Sequence, residues 1–413
     1  MTPLQSDQEN PARRTPVIMP VYSSEFWSNP FGTYEALRKE FGDVVPIILP
    51  NGVEGWLVIG YDTARGLLHD PRLSKNSQYA GPNWHTSHPN TVEGTSRPVF
   101  RHMLTMDPPE HTRLRAIVQK HFTRRRVEDM RPRIEKLAGE LIDDIAHANT
   151  IDLIDHFAVP LPLRFICELL GVPLSDEKKF REWSRLLVTP ELEERHLIPR
   201  VAEELREYLT SLATMPSEDH SLFSALISHY KGGELTIDEL VSMGFLLLVA
   251  GHETSVNLIA SGTLAALRNR DVWLKLSAGE IDPQYIVEEF LRLDSPIDWA
   301  PPRFAREPIN VAGERIAAGD TVFIGISAAN RDPKQFRCPH MLEQKRPELA
   351  SHLAFGHGIH FCLGAPLARL EGEISFKLLS QRFPSMQLVK APEELQWRPG
   401  PIMRGLRSLE VRL

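Results

Sequence analysis

The chain has 413 residues, of which 24% are charged and 42% hydrophobic, and its formal net charge is −7 at pH 7. This length allows a sizeable hydrophobic core, and the negative charge argues against a general affinity for nucleic acid or acidic membranes. The three cysteines, Cys167, Cys338 and Cys362, include no C-x-x-C pair. The sequence therefore indicates neither a disulfide framework nor a cysteine-rich zinc site, and it fits a reducing compartment.

The first fifteen or so residues are polar and contain proline, without the apolar segment of a signal peptide. We expect residues 1–15 to be a flexible lead in front of a single domain, residues 16–413. The longest apolar run, at residues 245–250, is too short to span a bilayer. These features predict a cytoplasmic protein that has no membrane span.

The next segment predicts a short helix and a β-hairpin. The helix covers residues 34–41, and the strands cover residues 45–49 and 55–59. Asn51-Gly52 joins the two strands and is a strong hairpin signal. Residues 78–97 then form a long loop rich in Gly, Pro, Ser and Asn, a length that is usually functional or disordered.

From residue 110 to residue 276 most of the pattern is helical. The predicted breaks lie near Pro160, Pro173, Pro190 and Gly232-Gly233. Residues 309–326 are strand-like, with turns at Ala312-Gly313 and Ala318-Gly319. The predicted fold class is therefore mainly α with small β-sheets.

A long helix begins after Thr236, because Thr236 and Glu239 have the spacing of a capping box. Its pattern continues to about residue 267, and one face carries Leu247, Ala250, Gly251 and Thr254. The small residues of this face leave room for a group to lie against the backbone.

Two polar residues, Glu253 and Thr254, interrupt this apolar helix. A hydroxyl can hold a water and a carboxylate can relay protons from solvent. The alternative is a Thr254 hydroxyl that bonds back to the carbonyl four residues earlier, and both can hold together. We expect His252 to be structural or solvent-facing, because no second histidine follows four residues later as in a zinc protease.

Asp282-Pro283 predicts the start of another helix, which ends by Ser295. Glu289 and Arg292 are three residues apart and share a face of it. An exposed pair of this kind would contribute little to stability.

The segment from Phe355 to Pro366 is a glycine-rich loop that places Cys362 just before a helix. We expect its three glycines to allow turns that a side chain would forbid and to permit close approach to a flat partner; they are Gly356, Gly358 and Gly364. The helix N-terminus predicts a stabilised thiolate with a lowered pKa. A lone thiolate on such a loop suits one axial bond to haem iron, whereas the alternative is a buried free cysteine near a helix cap.

This loop resembles the haem-binding loop of the cytochrome P-450 family, the haem-thiolate monooxygenases. Every specified position of the pattern Phe-Gly-x-Gly-x-His-x-Cys-x-Gly is present. The resemblance implies a mostly helical fold with haem b between the long central helix and the cysteine loop. It also implies that Cys362 is the axial ligand, that His360 contacts a propionate and that Phe355 packs beside the sulfur. The remaining expected haem contacts are His111, Arg115, Ala250, Arg303 and Gly364.

Other segments match the family as well. The resemblance implies that Glu253 and Thr254 are the acid–alcohol pair that supports proton delivery to dioxygen. Glu289 and Arg292 match a buried structural ion pair behind the haem, for which Arg346 is a weaker third partner. Residues 329–333 match a family signature to which we assign a structural turn.

The implied reaction is the insertion of one oxygen atom from O2 into a C–H bond or a double bond of a small to medium apolar substrate. The likeness favours soluble bacterial members that hydroxylate macrolides and related secondary metabolites. Expected pocket residues are Trp84, Leu246, Leu247, Ala250, Ile297, Trp299, Ala300, Ile402 and Met403. We expect the ring of Trp299 to narrow the cavity near the haem.

Electrons must come from a separate protein, because no nucleotide- or flavin-binding segment occurs in the chain. The resemblance implies a ferredoxin and a ferredoxin reductase that use NAD(P)H. An acidic ferredoxin would suit a basic patch of Lys120, Arg124, Arg125, Arg126 and Arg369, although an ordinary solvated helix end is an equal alternative. The expected state is a monomer. Other functions left open are a peroxide-driven peroxygenase, a haem protein that only binds a gas, and a haem-free helical scaffold.

Overall fold

The computed structural model describes residues 14–87, 101–188, 192–214 and 221–413. The predicted lead therefore lies outside the described residues except for its last two positions. Residues 88–97 of the predicted long loop and the predicted break near Pro190 lie outside them as well.

Helices dominate the described chain. The α-helices are α1 (Ser24–Ser28), α2 (Pro30–Phe41), α3 (Tyr61–His69), α4 (Pro82–Ser87), α5 (Glu110–Gln119), α6 (Arg124–Asp129), α7 (Arg131–Ile145), α8 (Pro160–Leu170), α9 (Glu177–Val188), α10 (Ile198–Thr214), α11 (Leu222–Lys231), α12 (Ile237–Arg268), α13 (Arg270–Ser277), α14 (Pro283–Leu293), α15 (Ile326–Ala329) and α16 (Ala365–Arg382). Short 3₁₀ helices include Met103–Thr105 and Gly358–His360.

The strands are β1 (Val17–Ile18), β2 (Val44–Ile48), β3 (Glu54–Val58), β4 (Leu73–Ser74), β5 (Thr150–Asp152), β6 (Trp299–Ala305), β7 (Ile309–Val311), β8 (Glu314–Ile316), β9 (Thr321–Gly325), β10 (Gln387–Leu388) and β11 (Glu410–Arg412). They form a six-stranded sheet in the order β1-β2-β3-β9-β6-β4, a three-stranded sheet β10-β11-β5 and the pair β7-β8. The predicted fold class, mainly α with small β-sheets, is confirmed.

Local signals placed most of these elements. The hairpin predicted at Asn51-Gly52 is the antiparallel pair β2–β3, and Gly52 has a φ of 86° that favours glycine. Turns at Ala312-Gly313 and Gly319 separate β7, β8 and β9 as predicted. The first predicted helix is longer than expected, because α2 begins at Pro30, a residue suited to a first helical position.

The centre of the core is α12, which contacts α8, α10, α14 and α16. Its predicted capping box is present, since Thr236 accepts from the Glu239 N–H and Glu239 accepts from the Thr236 N–H. By length and composition α12 could also cross a membrane, but 78% of the relevant window is buried inside the protein, as in a core helix.

The predicted pair of Glu289 and Arg292 forms and is buried, with both side chains 0% exposed. The Arg292 guanidinium donates twice to the carboxylate, each time at 2.8 Å. Arg346 is the third partner, with Nε 3.2 Å from both carboxylate oxygens. The group joins α14 to the segment that leads into the cysteine loop.

Candidate active site

The cysteine loop takes the turns that its glycines predict. Gly356 and Gly358 have φ values of 73° and 77°, where a side chain would be strained. The Cys362 N–H donates to the Phe355 carbonyl at 2.9 Å, which closes the loop. Helix α16 begins at Ala365, so the cysteine lies just before its N-terminus.

Gly364 does not have a turn that requires glycine. Its φ is −80°, and an added Cβ would lie 4.0 Å from the Cys362 sulfur, an ordinary contact. The prediction that this glycine serves a forbidden turn is therefore wrong. Room at this position matters only for a group that approaches the sulfur from outside the protein.

The Cys362 side chain is exposed by surface area, yet the protein surrounds it closely enough to raise the pKa of its thiol by burial. The N–H groups of Gly364 and Ala365 hydrogen-bond to the sulfur and lower the pKa, but burial outweighs them. The predicted net lowering is not found for the free thiol, because the effect of the surrounding protein on its pKa exceeds that of the helix N-terminus.

Phe355 packs against the ion pair formed by Arg369 and Glu288. The Arg369 guanidinium is 4.4 Å from its ring centroid, and Glu288 accepts from Arg369 at 2.7 and 2.8 Å. Burial would raise the pKa of Glu288, but its bonds to Arg369 and His352 lower it to about 2. Arg369 is therefore a paired cation, which at this position favours the alternative of an ordinary helix end over the basic patch.

The central helix presents an open stripe in its middle. Ala250 is exposed, and Val249, Gly251 and Thr254 are partly exposed, although Leu246, Leu247 and most other residues of α12 are buried. The Thr254 hydroxyl donates to the Ala250 carbonyl at 3.2 Å, which confirms the back-bonding alternative. The stripe has space in front of it and small side chains along it.

Glu253 is buried and turned toward charged and polar partners. Its carboxylate lies 3.6 Å from His252 Nε2 and 3.7 Å from Arg398 Nη1, and the Ser184 hydroxyl donates at 3.5 Å. Burial opposes ionisation, but these partners hold the pKa of Glu253 below its ordinary value. His252 is structural rather than solvent-facing, since it is buried with Nδ1 2.8 Å from the Leu248 carbonyl oxygen.

Sequence reasoning missed a second carboxyl group beside this site. The Ser255 hydroxyl of α12 donates to Glu371 of α16 at 2.5 Å, and burial raises the pKa of Glu371 to about 8. Its Oε1 is buried without a partner among the residues that the structure describes. The only signal in the sequence was the position of Glu371, six residues after the start of the helix that follows the loop. This position is compatible with burial but does not identify a partner.

Four of the expected haem contacts come together: His111, Arg115, Arg303 and His360. The rings of His111 and His360 have centroids 4.4 Å apart, and Arg115 donates to the Phe361 carbonyl at 2.8 Å. Burial, followed by the charges of Lys75 and Arg303, lowers the pKa of His360 to about 2. The site is a concentration of positive charge.

Several donors of this cluster have no protein acceptor. Both ring nitrogens of His111 and the Nε of Arg303 are buried without a partner in the described part of the chain. Arg303 is 4% exposed, and burial lowers its pKa to about 10. Buried cations need counter-charges, so the cluster fits an anionic group that the protein does not itself supply. Lys75, which the sequence did not single out, belongs to this cluster.

The expected pocket segments do meet. Ile297 and Met403 form a β-bridge, and the Asp298 N–H donates to the Ile402 carbonyl at 2.8 Å. Ile402 is exposed, and Ile297, Ala300 and Met403 are partly exposed. These side chains are available to line a pocket.

Trp299 does not narrow such a pocket. It is 0% exposed, its indole N–H donates to the Tyr34 hydroxyl at 2.8 Å, and its ring packs 5.4 Å from that of Phe323. This prediction is wrong, because strand alternation turns Trp299 into the core and Ala300 away from it. Trp84 is 9% exposed and packs edge-on against Phe304.

Arg124, Arg125 and Arg126 are exposed in the first turn of α6. Lys120 instead approaches His229, with 3.1 Å between Nζ and Nε2. Both line a surface groove of about 730 Å³ between α5 and the start of α12. None of the predicted haem contacts lines this groove.

The arrangement fits a flat dianionic cofactor held through one sulfur. The sulfur of Cys362 supplies a ligand, and the open stripe of α12 supplies space. The unpartnered donors of the cationic cluster can bind two carboxylates of the cofactor. Haem combines these three requirements.

The chain is similar to bacterial proteins over nearly its whole length. A model of the cytochrome P-450 family matches residues 284–399. The chain is 40% identical over 416 residues to the cytochrome P-450 monooxygenase PikC of Streptomyces venezuelae, which covers 99% of this chain and 97% of PikC. It is 39% identical over 410 residues to the polyketide biosynthesis cytochrome P-450 PksS of Bacillus subtilis, covering 95% of this chain and 98% of PksS. The solved structure of the tirandamycin C-bound monooxygenase TamI matches with a TM-score of 0.89 and 40% identity, covering 96% of this chain and 100% of TamI.

Proposed function

This chain belongs to the cytochrome P-450 family and is an oxidoreductase, and from that premise we propose that it inserts one oxygen atom from O2 into a C–H bond or a double bond of a small to medium apolar substrate. Residues 16–413 form its single catalytic domain. The observation that carries the proposal is the sulfur of Cys362, which a closed glycine loop presents beside two backbone N–H groups.

In this proposal Cys362 would hold the haem iron as a thiolate, so its thiol proton would be lost on coordination, although burial raises the pKa of the free thiol. The N–H groups of Gly364 and Ala365 then stabilise the negative sulfur, and Phe355 packs beside it. Haem bound through a thiolate supplies the activation of dioxygen and the oxidation of carbon.

The cationic cluster holds the cofactor carboxylates. His111, Arg115, Arg303 and His360 come from α5, β6 and the cysteine loop, so the site forms only when these elements pack together. The unpartnered nitrogens of His111 and Arg303 become donors to the propionates. On the opposite side, the small side chain of the exposed Ala250 leaves room for the ring. Contrary to the prediction, Gly251 does not contribute to this space, because a Cβ there would meet Ile166 of α8 at 2.9 Å.

Glu253 and Thr254 handle protons. The Thr254 hydroxyl donates a hydrogen bond to the Ala250 carbonyl. Its oxygen can therefore accept a hydrogen bond from a water on the open stripe. Glu253 is held in its ionised form, and the side chain of its partner Arg398 is 21% exposed. This pair connects a buried carboxylate oxygen with bulk solvent, the route that a proton relay needs.

The substrate is a polyketide, a macrolide or a related secondary metabolite. PikC and PksS are relatives that match nearly the whole chain, and PksS is named for polyketide biosynthesis. The pocket residues that support this class are apolar: Leu246, Leu247, Ala250, Ile297, Ala300, Ile402 and Met403. Trp84, in the described residues 78–87 of the long loop, can also contribute to the pocket.

The redox partner is an acidic ferredoxin with its NAD(P)H-dependent reductase. Arg124, Arg125 and Arg126 are the part of the expected basic patch that is exposed, whereas Arg369 is paired with Glu288. The assignment of the ferredoxin as partner rests on charge complementarity.

In the same proposal the protein acts as a cytoplasmic monomer.

The ligand assignment is tested by Cys362→Ala with Cys338→Ala as the matched control. We expect Cys362→Ala to abolish the thiolate-type spectrum of the reduced, carbon monoxide-bound protein, and Cys338→Ala to retain it because Cys338 is exposed elsewhere. Retention of the spectrum in Cys362→Ala, or a colourless folded wild-type protein, would refute the proposal. Oxygen-dependent product formation with a ferredoxin system then separates the monooxygenase from a gas-binding protein.

A further inference from the structure

Lys75 is a buried cation with an unusual neighbour. Strand β4 pairs antiparallel with β6 in the register Leu73 to Ala305 and Ser74 to Phe304. One residue further, the same register places Lys75 opposite Arg303. Like charges on directly opposed strand positions repel and destabilise the pair, and both side chains are nearly inaccessible, at 6% and 4% exposure.

The ammonium of Lys75 is oriented but not fully bonded. Its Nζ donates to the Pro301 carbonyl at 2.6 Å and to the Pro302 carbonyl at 3.3 Å. An ammonium carries three protons, so one remains without an acceptor in the part of the chain that the structure describes. The two carbonyls immediately precede Arg303, and they therefore hold the ammonium near the guanidinium.

The nearby acid Asp107 offsets this pair of cations only in part, since its charge raises the pKa of both Lys75 and Arg303 but does not outweigh burial. Asp107 accepts from the Lys75 backbone N–H at 3.0 Å and from Arg306 at 2.6 Å, and it also accepts from the Ser74 hydroxyl. Its charge is thus shared with Arg306, outside the cluster. Burial and then the repulsion of Arg303 hold the pKa of Lys75 well below its usual range, as expected where a counter-ion is needed.

We propose that Lys75 is a further ligand of a cofactor carboxylate, which its third N–H and the facing Arg303 bind together. This inference rests on the proposed function, since the carboxylate is that of haem. This interaction strengthens haem retention. The positive charge of Lys75 also raises the reduction potential of the haem, because it favours the reduced state.

The test compares purified holoproteins of wild type, Lys75→Met and Lys75→Arg, with Lys334→Met as the control. Unlike Lys75, Lys334 is 70% exposed and forms an ion pair with Asp43 at 3.1 Å on the surface. We expect transfer of haem to apomyoglobin to be at least roughly tenfold faster from Lys75→Met, close to wild type from Lys75→Arg, and unchanged from Lys334→Met. Spectroelectrochemistry should show a lower potential for Lys75→Met alone.

A second measurement separates carboxylate binding from a structural role of the Pro301 and Pro302 contacts. Wild type and Lys75→Met are reconstituted with haem or with its dimethyl ester, which has no carboxylates. We expect the difference in release rate to disappear with the ester. Equal acceleration with both cofactors, or no acceleration with either, would overturn the Lys75 assignment while the proposed function stands. A wild-type protein that binds no haem would overturn both.

Discussion

Two buried carboxyl groups adjoin Thr254 and Ser255 of α12 and are held in opposite protonation states, Glu253 in the same helix and Glu371 of α16. Glu253 faces His252 and Arg398, and these partners lower its pKa although it is buried. Within the described part of the chain, Glu371 accepts only from the Ser255 hydroxyl, and burial raises its pKa to about 8. The difference arises because a cation compensates for lost hydration and a hydroxyl does not. Helix α12 thus carries an ionised carboxylate, Glu253, and its Ser255 hydroxyl contacts a protonated carboxyl group of α16.

Glu371 is expected to lower stability as pH rises. The unfolded chain ionises this carboxyl near its ordinary pKa, about 4.3, whereas the folded protein keeps it protonated up to about pH 8. Between these values the unfolded state binds fewer protons, so the free energy of unfolding falls with increasing pH. Glu371→Gln removes this effect and should be more stable than wild type at pH 8 by a few kcal/mol, on the order of one per pH unit.

Urea denaturation of the holoproteins at several pH values between 4 and 9 measures this difference. The exposed Glu393→Gln is the control, and it should show no advantage that grows with pH. An advantage of Glu371→Gln that stays constant from pH 5 to pH 8 would show that the carboxyl is already ionised in the folded protein.

At the scale of elements, a single buried acid joins α14 to the segment before the cysteine loop. Glu289 accepts from Arg292 and Arg346 and from the Glu343 N–H at 3.0 Å. Arg292 and Arg346 also donate to the backbone of this segment, including the Met341 carbonyl at 3.1 and 3.0 Å. The two guanidinium groups hold an otherwise irregular stretch of chain in position through one carboxylate.

Glu289→Gln should therefore be severe. It leaves two buried guanidinium groups without their counter-charge, a loss that costs about 3–5 kcal/mol in comparable buried pairs. Denaturant titration of the holoprotein measures the change in the free energy of unfolding. Asp271→Asn, which removes an exposed partner of Lys275 in α13, makes the same chemical change and should leave the unfolding midpoint unchanged. Equal effects of the two variants would contradict a structural role for the buried pair.

What the sequence predicted well is local in the chain. The capping box at Thr236, the loop around Cys362 and the pair Glu289–Arg292 each depend on residues a few positions apart, where backbone geometry fixes the relation. The bounds of α12 and the turns between the strands follow for the same reason.

What the sequence did not predict depends on contacts between distant segments. The position of Lys75 opposite Arg303 requires the register of β4 and β6, and the pairing of Arg369 with Glu288 requires α14 to pack on α16. The direction of the Trp299 ring and the net pKa shift of Cys362 depend on which neighbours surround them. These are properties of the assembled core, which periodicity does not encode.

At the scale of the whole molecule, the chain has a net charge of −7 but places three exposed arginines in the first turn of α6. Cations are unfavourable at the positive end of a helix dipole, so helix stability does not account for this placement. Arg124 lowers the pKa of Glu128, one turn later, by its charge, and Arg126 approaches His121 at 3.3 Å, but within the described ranges no carboxylate lies within 4 Å of Arg124 or Arg125 as an ion-pair partner. An acidic partner would compensate for the cost.

Arg125→Glu should slow electron transfer from a reduced acidic ferredoxin by roughly tenfold or more at low ionic strength, because charge reversal at a docking surface acts on association. The defect should shrink as salt is raised, since surface charges are screened, whereas reduction by dithionite should not change. Stopped-flow reduction at several salt concentrations gives these rates. Arg315→Glu, an exposed substitution on β8 with the same change in net charge, is the control. Slowing of both variants to the same extent would mean that net charge alone matters and that α6 is not the docking surface.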